Sequence, residues 1–171
     1  MKRWFSILLI LLLLLGGCSE SNTQEGLLSS FSAAELGGDL LDQSVLADKK
    51  LTMVNIWATY CGPCIREMPD LAALDREYEK EGFQVIGIVS DVYTLEDTTA
   101  ENARTILNNC GCDYLNLLPD QSLTPLLGGV SAVPTTVFVD ERGNQVGETY
   151  IGSRSKEDWA AIIDSLLKEI G

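Results

Sequence analysis

Trp57-Ala58-Thr59-Tyr60-Cys61-Gly62-Pro63-Cys64-Ile65-Arg66-Glu67-Met68-Pro69-Asp70-Leu71 joins an apolar run to an amphipathic one. The run that leads into it, Leu51 to Ala58, is almost continuously apolar, as a central strand buried on both faces should be. The run that leads out, Ile65 to Lys80, sets Ile65, Met68, Leu71, Ala72, Leu74 and Tyr78 on one helical stripe. Pro69 lies inside that stripe and predicts a kink. The two cysteines therefore sit at a strand-to-helix junction. A helix N-terminus carries partial positive charge and unpaired N–H groups, both of which stabilise a thiolate. Thiolate is the attacking form in disulfide exchange, so Cys61 is placed as a nucleophile. Pro63 fits the first helical turn, where its missing N–H costs nothing. Cys64 follows three residues on, on the same face, within reach to resolve a mixed disulfide.

A metal site is the competing use of two cysteines at this spacing. Zinc takes four ligands, mostly Cys and His. The chain has no His, and its other close pair, Cys110-Gly111-Cys112, has the wrong spacing. No metal is expected on that count. The Gly62-Pro63 spacer favours a reactive, reducible bond over a purely structural one.

The stretch resembles the active site of the thioredoxin superfamily. More narrowly, Trp57 to Cys64 followed by Arg66-Glu67-Met68-Pro69 is similar to the membrane-tethered TlpA/ResA-like thiol-disulfide oxidoreductases. The resemblance continues through Val133-Pro134-Thr135-Thr136 and spans about residues 31 to 170. It implies an α/β, thioredoxin-like fold with a central mixed sheet flanked by helices and an N-terminal strand or hairpin extension. It implies a cis Val133–Pro134 bond facing the cysteine pair, which leaves the backbone of Val133 free to pair with an extended substrate. It implies no cofactor beyond the redox-active Cys61–Cys64 disulfide. The partners it implies are exported proteins, apocytochrome c and oxidised methionine sulfoxide reductases among them, and a membrane thiol donor of CcdA type. The Gly-Pro spacer resembles that of reducing thioredoxins, so the expected direction is reduction of the target.

One position departs from thioredoxins proper. They usually place a buried Asp two residues before the motif's Trp, as proton acceptor for the resolving cysteine. Asn55 stands there in this chain, as in many tethered relatives, and an amide cannot take that proton. Glu67 and Asp91 are the candidate acids. Asp91 ends a strand, and strand ends border the crevice in open α/β sheets; it either lines the site or is a solvated loop acid or helix cap. Glu67 reads as a surface helix residue. Trp57 and Tyr60 are expected to pack against the disulfide and offer apolar contact to substrate.

Outside this domain, Met1 to Cys18 reads as a targeting segment. Lys2 and Arg3 precede an unbroken apolar run of nine residues, Ile7 to Leu15. A bilayer span needs about 20, so the run suits a signal peptide. Leu15-Gly16-Gly17-Cys18 resembles a bacterial lipobox, which implies cleavage before Cys18 and lipid on its sulfur. The organisation expected is a signal peptide over 1–17, a lipidated Cys18 and tether over 18–28, and one domain over 29–171. The domain would then be anchored outside the cytoplasmic membrane, in a disulfide-permissive space. The chain carries 25 acids against 12 bases, a net charge of −13. That excludes a nucleic-acid binder, which needs a basic footprint, and adsorption to anionic lipid.

With Cys18 lipidated, Cys110 and Cys112 remain as an even pair. Gly111 lets the backbone bend, so a strained Cys110–Cys112 disulfide is possible. A structural disulfide or inert thiols are expected in preference to a second redox centre, because Cys110 falls at a helix C-terminus, where the dipole disfavours thiolate. That helix should end at the far side of the sheet from Cys61. Two other functions compete with disulfide exchange. A thiol peroxidase would need Pro and Thr where Val54 and Ala58 precede Cys61. A lipoprotein that only binds a partner, or haem, would keep its activity without Cys61 and Cys64.

The remaining elements follow from periodicity. Strands are expected over 82–90, 114–118, 135–139 and 145–151, with Asp140 to Asn144 as a hairpin turn. Helices are expected over 95–109 and 122–127, and from Ser155, a capping-box start, to Ile170. Phe31 to Val45 reads as short strands around Gly37-Gly38-Asp39.

Overall fold

A computed structural model describes residues 26–171. The expectations for Met1 to Cys18 and for most of the tether lie outside these residues. β1 (Ser32–Ala34) and β2 (Leu40–Asp42) form an antiparallel hairpin over Gly37-Gly38-Asp39. β3 (Leu51–Trp57) leads into α1 (Gly62–Glu77), and β4 (Phe83–Val89) into α2 (Thr98–Cys110). Short β5 (Asn116–Leu117) and α3 (Thr124–Leu127) precede β6 (Thr135–Val139), β7 (Gln145–Ile151) and α4 (Lys156–Ile170). The main sheet has the order β5-β4-β3-β6-β7. β4 is parallel to β3 and β5, while β6 is antiparallel to β3 and β7. This is the expected thioredoxin-like mixed sheet with its N-terminal hairpin.

The site sits where it does because β3 is central and buried along its whole length. Its side chains alternate between the two faces. Val54 and Ile56 join Ile86, Ile88, Val137, Leu123 and Leu126 on one side. Leu51 and Met53 meet Leu71, Leu74, Trp159 and Ile163 on the other, so α1 and α4 share that face. Trp57, at the end of β3, packs with Cys61, Cys64, Met68, Ala100 and Ala103, which brings α2 beside α1. Asn55 therefore points to the face that α1 covers.

Three boundaries differ from the sequence reading. Leu28, assigned to the tether, is buried, and its N–H donates to the Gly143 carbonyl at 3.0 Å; the packed domain begins before residue 29. α1 starts at Gly62 rather than Ile65, because Cys61 serves as its N-cap, and it runs through Pro69 without a break. α2 starts at Thr98 rather than Leu95; Asp97 is its N-cap, and the residues before it form a loop.

Candidate active site

Cys61 and Cys64 form a disulfide with Cα atoms 5.3 Å apart, inside the usual range for such bonds. The Cys61 sulfur also accepts the Cys64 N–H at 3.2 Å, so it is the capping acceptor of α1. Ordinary N-caps use an oxygen to satisfy the free N–H groups of the first turn. Here a sulfur takes that position, and the same donors and helix dipole would hold negative charge on Cys61 once the disulfide opens. Pro63 occupies the first turn. Cys61 is 5% exposed and Cys64 fully buried, so a partner can reach only Cys61. That asymmetry separates attacking from resolving sulfur.

The loop before Cys61 is held by the end of β4. Both carboxylate oxygens of Asp91 accept the Thr59 N–H, at 3.0 and 3.1 Å, and the Thr59 hydroxyl donates to one of them at 2.6 Å. Ser90 donates its N–H and its hydroxyl to the Trp57 carbonyl, each at 2.8 Å. Asp91 is thus neither a free acid facing the sulfurs nor a solvated loop residue. It is a clamp that sets the path of Thr59 and Tyr60 into Cys61.

Glu67 overturns its reading as a surface residue. It is buried and lies one helical turn beyond Cys64 on α1. Its carboxylate accepts from Asn55 Nδ2 at 3.2 Å, from the Arg154 N–H at 3.2 Å and from Trp159 Nε1 at 3.3 Å. Burial pushes its pKa up, while these three hydrogen bonds and the Arg154 charge oppose the rise. Arg154 is itself held over the rings of Tyr150 and Trp159, 4.8 and 5.0 Å from their centroids. Asn55, which cannot take a proton, instead donates to Glu67 and to Thr136 Oγ1 at 3.0 Å. The spacing of Cys64 and Glu67 could have revealed this, since residues three apart share a helix face. The contributions of Arg154 and Trp159 could not be seen, because they depend on how α4 docks.

Trp57 is also corrected. It is fully buried, and its indole N–H donates to Asn116 Oδ1 at 2.9 Å. It supports Cys61 and Cys64 from within the core and cannot touch substrate. A side chain at Gly87 would strike this pair, because its Cβ would run into the Asn116 amide. Tyr60, by contrast, is 78% exposed.

The Val133–Pro134 bond is cis. Val133 packs against the cluster that holds Cys61 and Cys64. It also borders an open groove of about 370 Å³ lined by Tyr60, Tyr93, Ser90, Leu127 and Val130. Tyr93, 71% exposed, carries no signal in the sequence that singles it out.

Cys110 and Cys112 are free, partly buried thiols rather than a disulfide. They do not lie at the far side of the sheet: both pack against the cluster around Cys61, Cys64 and Met68. α2 docks against α1 so that its last residue meets the first turns of that helix, the Cys110 sulfur lying 3.7 Å from the Ile65 carbonyl oxygen; α2 ends at Gly111, whose φ of 68° suits a left-handed cap.

A cis-proline beside a capped, asymmetrically buried cysteine pair on this sheet defines a thioredoxin-fold redox protein. The chain belongs to the Redoxin family, whose model matches residues 24–163. It is 26% identical over 174 residues to the thioredoxin-like protein YneN of Bacillus subtilis, covering 96% of this chain and 98% of that one. It is 27% identical over 118 residues to the thiol-disulfide oxidoreductase ResA of Halalkalibacterium halodurans, covering 68% of this chain and 62% of ResA. A thioredoxin-family thiol:disulfide interchange protein from Chlorobium tepidum superposes with a TM-score of 0.68 at 26% identity, covering 81% of this chain and 93% of that one. The expected class, a thiol-disulfide oxidoreductase of ResA-like type, stands.

Proposed function

We propose that this protein reduces disulfides of exported proteins outside the cytoplasmic membrane, held there by lipid on Cys18. The observation that carries the reading is the asymmetric pair: an approachable Cys61 capping α1, a buried Cys64 behind it, and the carboxylate of Glu67 one turn further on. In the reduced enzyme the Cys61 thiolate attacks one sulfur of a target disulfide. A Cys61–target bond forms and the other target sulfur leaves, taking a proton. Cys64 then gives up its proton and attacks the Cys61 sulfur. The Cys61–target bond breaks, the second target thiol leaves, and Cys61–Cys64 is oxidised. Glu67 receives the Cys64 proton, since burial raises its pKa toward that of a useful base.

The substrate is an extended segment laid along Val133 beside the cis-proline. Tyr60, Tyr93, Leu127 and Val130 give the adjoining groove apolar contact surface, and Ser90 and Ser131 give it polar groups, a mixture that suits an unfolded chain. Exported apocytochrome c and oxidised methionine sulfoxide reductases fit that description. A membrane thiol donor of CcdA type would return the electrons. No helix among the described residues is long and apolar enough to cross a membrane; the attachment proposed is lipid on Cys18.

The reduction potential of Cys61–Cys64 tests the direction. A value near −270 mV, about that of thioredoxin, supports a reductase. One near −120 mV, about that of a strong oxidant, overturns it. Labelling with radioactive palmitate tests the anchor: Cys18→Ser should abolish incorporation, and unlabelled parent protein would remove the lipoprotein reading.

A further inference from the structure

Pro69 creates a vacancy in the catalytic helix. In an unbroken helix the N–H of residue 69 would donate to the carbonyl of Ile65. Proline has no N–H, and its ring crowds that carbonyl. The carbonyl left over belongs to the residue directly after Cys64. In this structure it has a partner from another element: the Cys110 thiol lies 3.7 Å from the Ile65 oxygen. One turn along, the Cys112 thiol lies 3.7 Å from the Met68 oxygen. Arg76, also on α1, donates to the Gly111 carbonyl at 3.3 Å. The Cys110-Gly111-Cys112 turn is therefore fastened to the catalytic helix at three points.

We propose that Cys110 is a positioning residue for the redox pair, its S–H replacing the donor that Pro69 removes from α1. This rests on Cys61–Cys64 acting as a reversible couple. A thiol can donate only while it holds its proton, and burial raises the pKa of both Cys110 and Cys112. A carbonyl without a partner carries its full negative end one residue beyond Cys64 and weakens the positive end of the helix at Cys61. A donor on that carbonyl offsets this. Cys110 thereby favours the Cys61 thiolate, hence the reduced form of the pair. The two sulfurs at the end of α2 need no redox chemistry of their own to matter to the site.

The test is a double-mutant cycle on the full chain, read as the Cys61–Cys64 equilibrium in glutathione buffers. Peptide mass spectrometry after acid quench and alkylation reports that pair alone. C110A should shift the equilibrium toward the disulfide by about threefold, the scale of one weak hydrogen bond. In the P69A background the backbone regains the missing N–H, so C110A should have less than half that effect. No shift in C110A, or the same shift in both backgrounds, overturns the proposal. An independent readout needs no equilibrium measurement. The infrared S–H stretch that disappears in C110S should lie below the free-thiol position in the parent and move up toward it in P69A. A parent band at the free-thiol position also overturns the proposal. Failure of the parent pair to equilibrate with glutathione would instead remove the reversible couple, and the S–H stretch would still decide whether Cys110 donates.

Discussion

Two pairs of cysteines border one apolar cluster around Met68 and Val89, and they meet opposite ends of helices. Cys61 caps the start of α1, where its sulfur accepts an N–H. Cys110 ends α2, where its sulfur can only donate, to a carbonyl. The first arrangement favours a negative sulfur and the second a protonated one. Burial pushes the Cys112 thiol up to about 11. Cys61 and Cys64 are more buried still, so burial does not separate the pairs, and the polarity of the surrounding backbone is the difference that remains.

The sharpest way to break this comparison is to remove one member of each pair. Cys61→Ser should lower disulfide-reductase turnover by about a thousandfold or more, because the covalent step is lost. Cys110→Ser with Cys112→Ser should leave a single two-electron couple and most of the turnover. A second couple in the parent that vanishes from the double variant would make Cys110–Cys112 a redox centre and end the contrast. Alkylation of the reduced protein grades the same difference. At pH 7 a thiol with a pKa of about 11 is thiolate in about one molecule in ten thousand, against about 3% for an ordinary cysteine. The rarer thiolate is the more nucleophilic one, which recovers about tenfold of that difference, so Cys61 should react with iodoacetamide at least about 20 times faster than Cys112. Comparable rates, followed by mass spectrometry, would show that helix position does not set reactivity here.

The division between legible and hidden parts follows the same line. Whatever depends on neighbours in the chain could be read: the strand-to-helix junction, the cysteine spacing, the terminal capping box and the order of elements. The capping Ser155 is an example, its hydroxyl accepting the Asp158 N–H at 3.1 Å. What depends on which helix docks against which could not. Glu67 reads as exposed because Arg66 and Asp70 around it are polar, yet α4 and β3 close over it. Asp91 reads as equally fit for catalysis or for solvent because its partner, Thr59, lies 32 residues away. The end of α2 reads as remote from Cys61 because its approach to α1 is a tertiary contact with no local signature.

Glu67 supplies the next measurement. Glu67→Gln keeps the shape but not the base, so resolution by Cys64 should slow by about a hundredfold. Single-turnover release of target from the Cys61 mixed disulfide would show it. In the parent, resolution should fall as Glu67 is protonated, at a pH above the ordinary carboxylate value of 4.5, because burial raises its pKa. That dependence should be absent from the variant, and an unchanged profile would move the proton to another group. The stability consequence has a definite sign. A raised folded-state pKa contributes stability that is complete below the unfolded value and is lost as pH rises through the folded one. The stability of Glu67→Gln relative to the parent should therefore increase from pH 4 to pH 7 in denaturant melts.

The smallest effects concern how each cysteine turn is held. Asp91 grips Thr59 with three short contacts from a partly buried position, whereas Arg76 reaches the Gly111 carbonyl from solvent, with 58% of its side chain exposed. Hydrogen bonds to a charged group in such a setting are worth about 2 kcal/mol, so Asp91→Ala should lower the denaturant-derived stability by that order. It should also slow Cys61 alkylation, since the loop that delivers Cys61 to its cap is released. Arg76→Ala should stay within about 0.5 kcal/mol of the parent, as exposed charged contacts usually do. It should leave Cys61 alkylation unchanged, because the two thiols still anchor the turn on α1. If Arg76→Ala destabilised as much as Asp91→Ala, the charged contact rather than the sulfurs would be what fixes α2 to the catalytic helix.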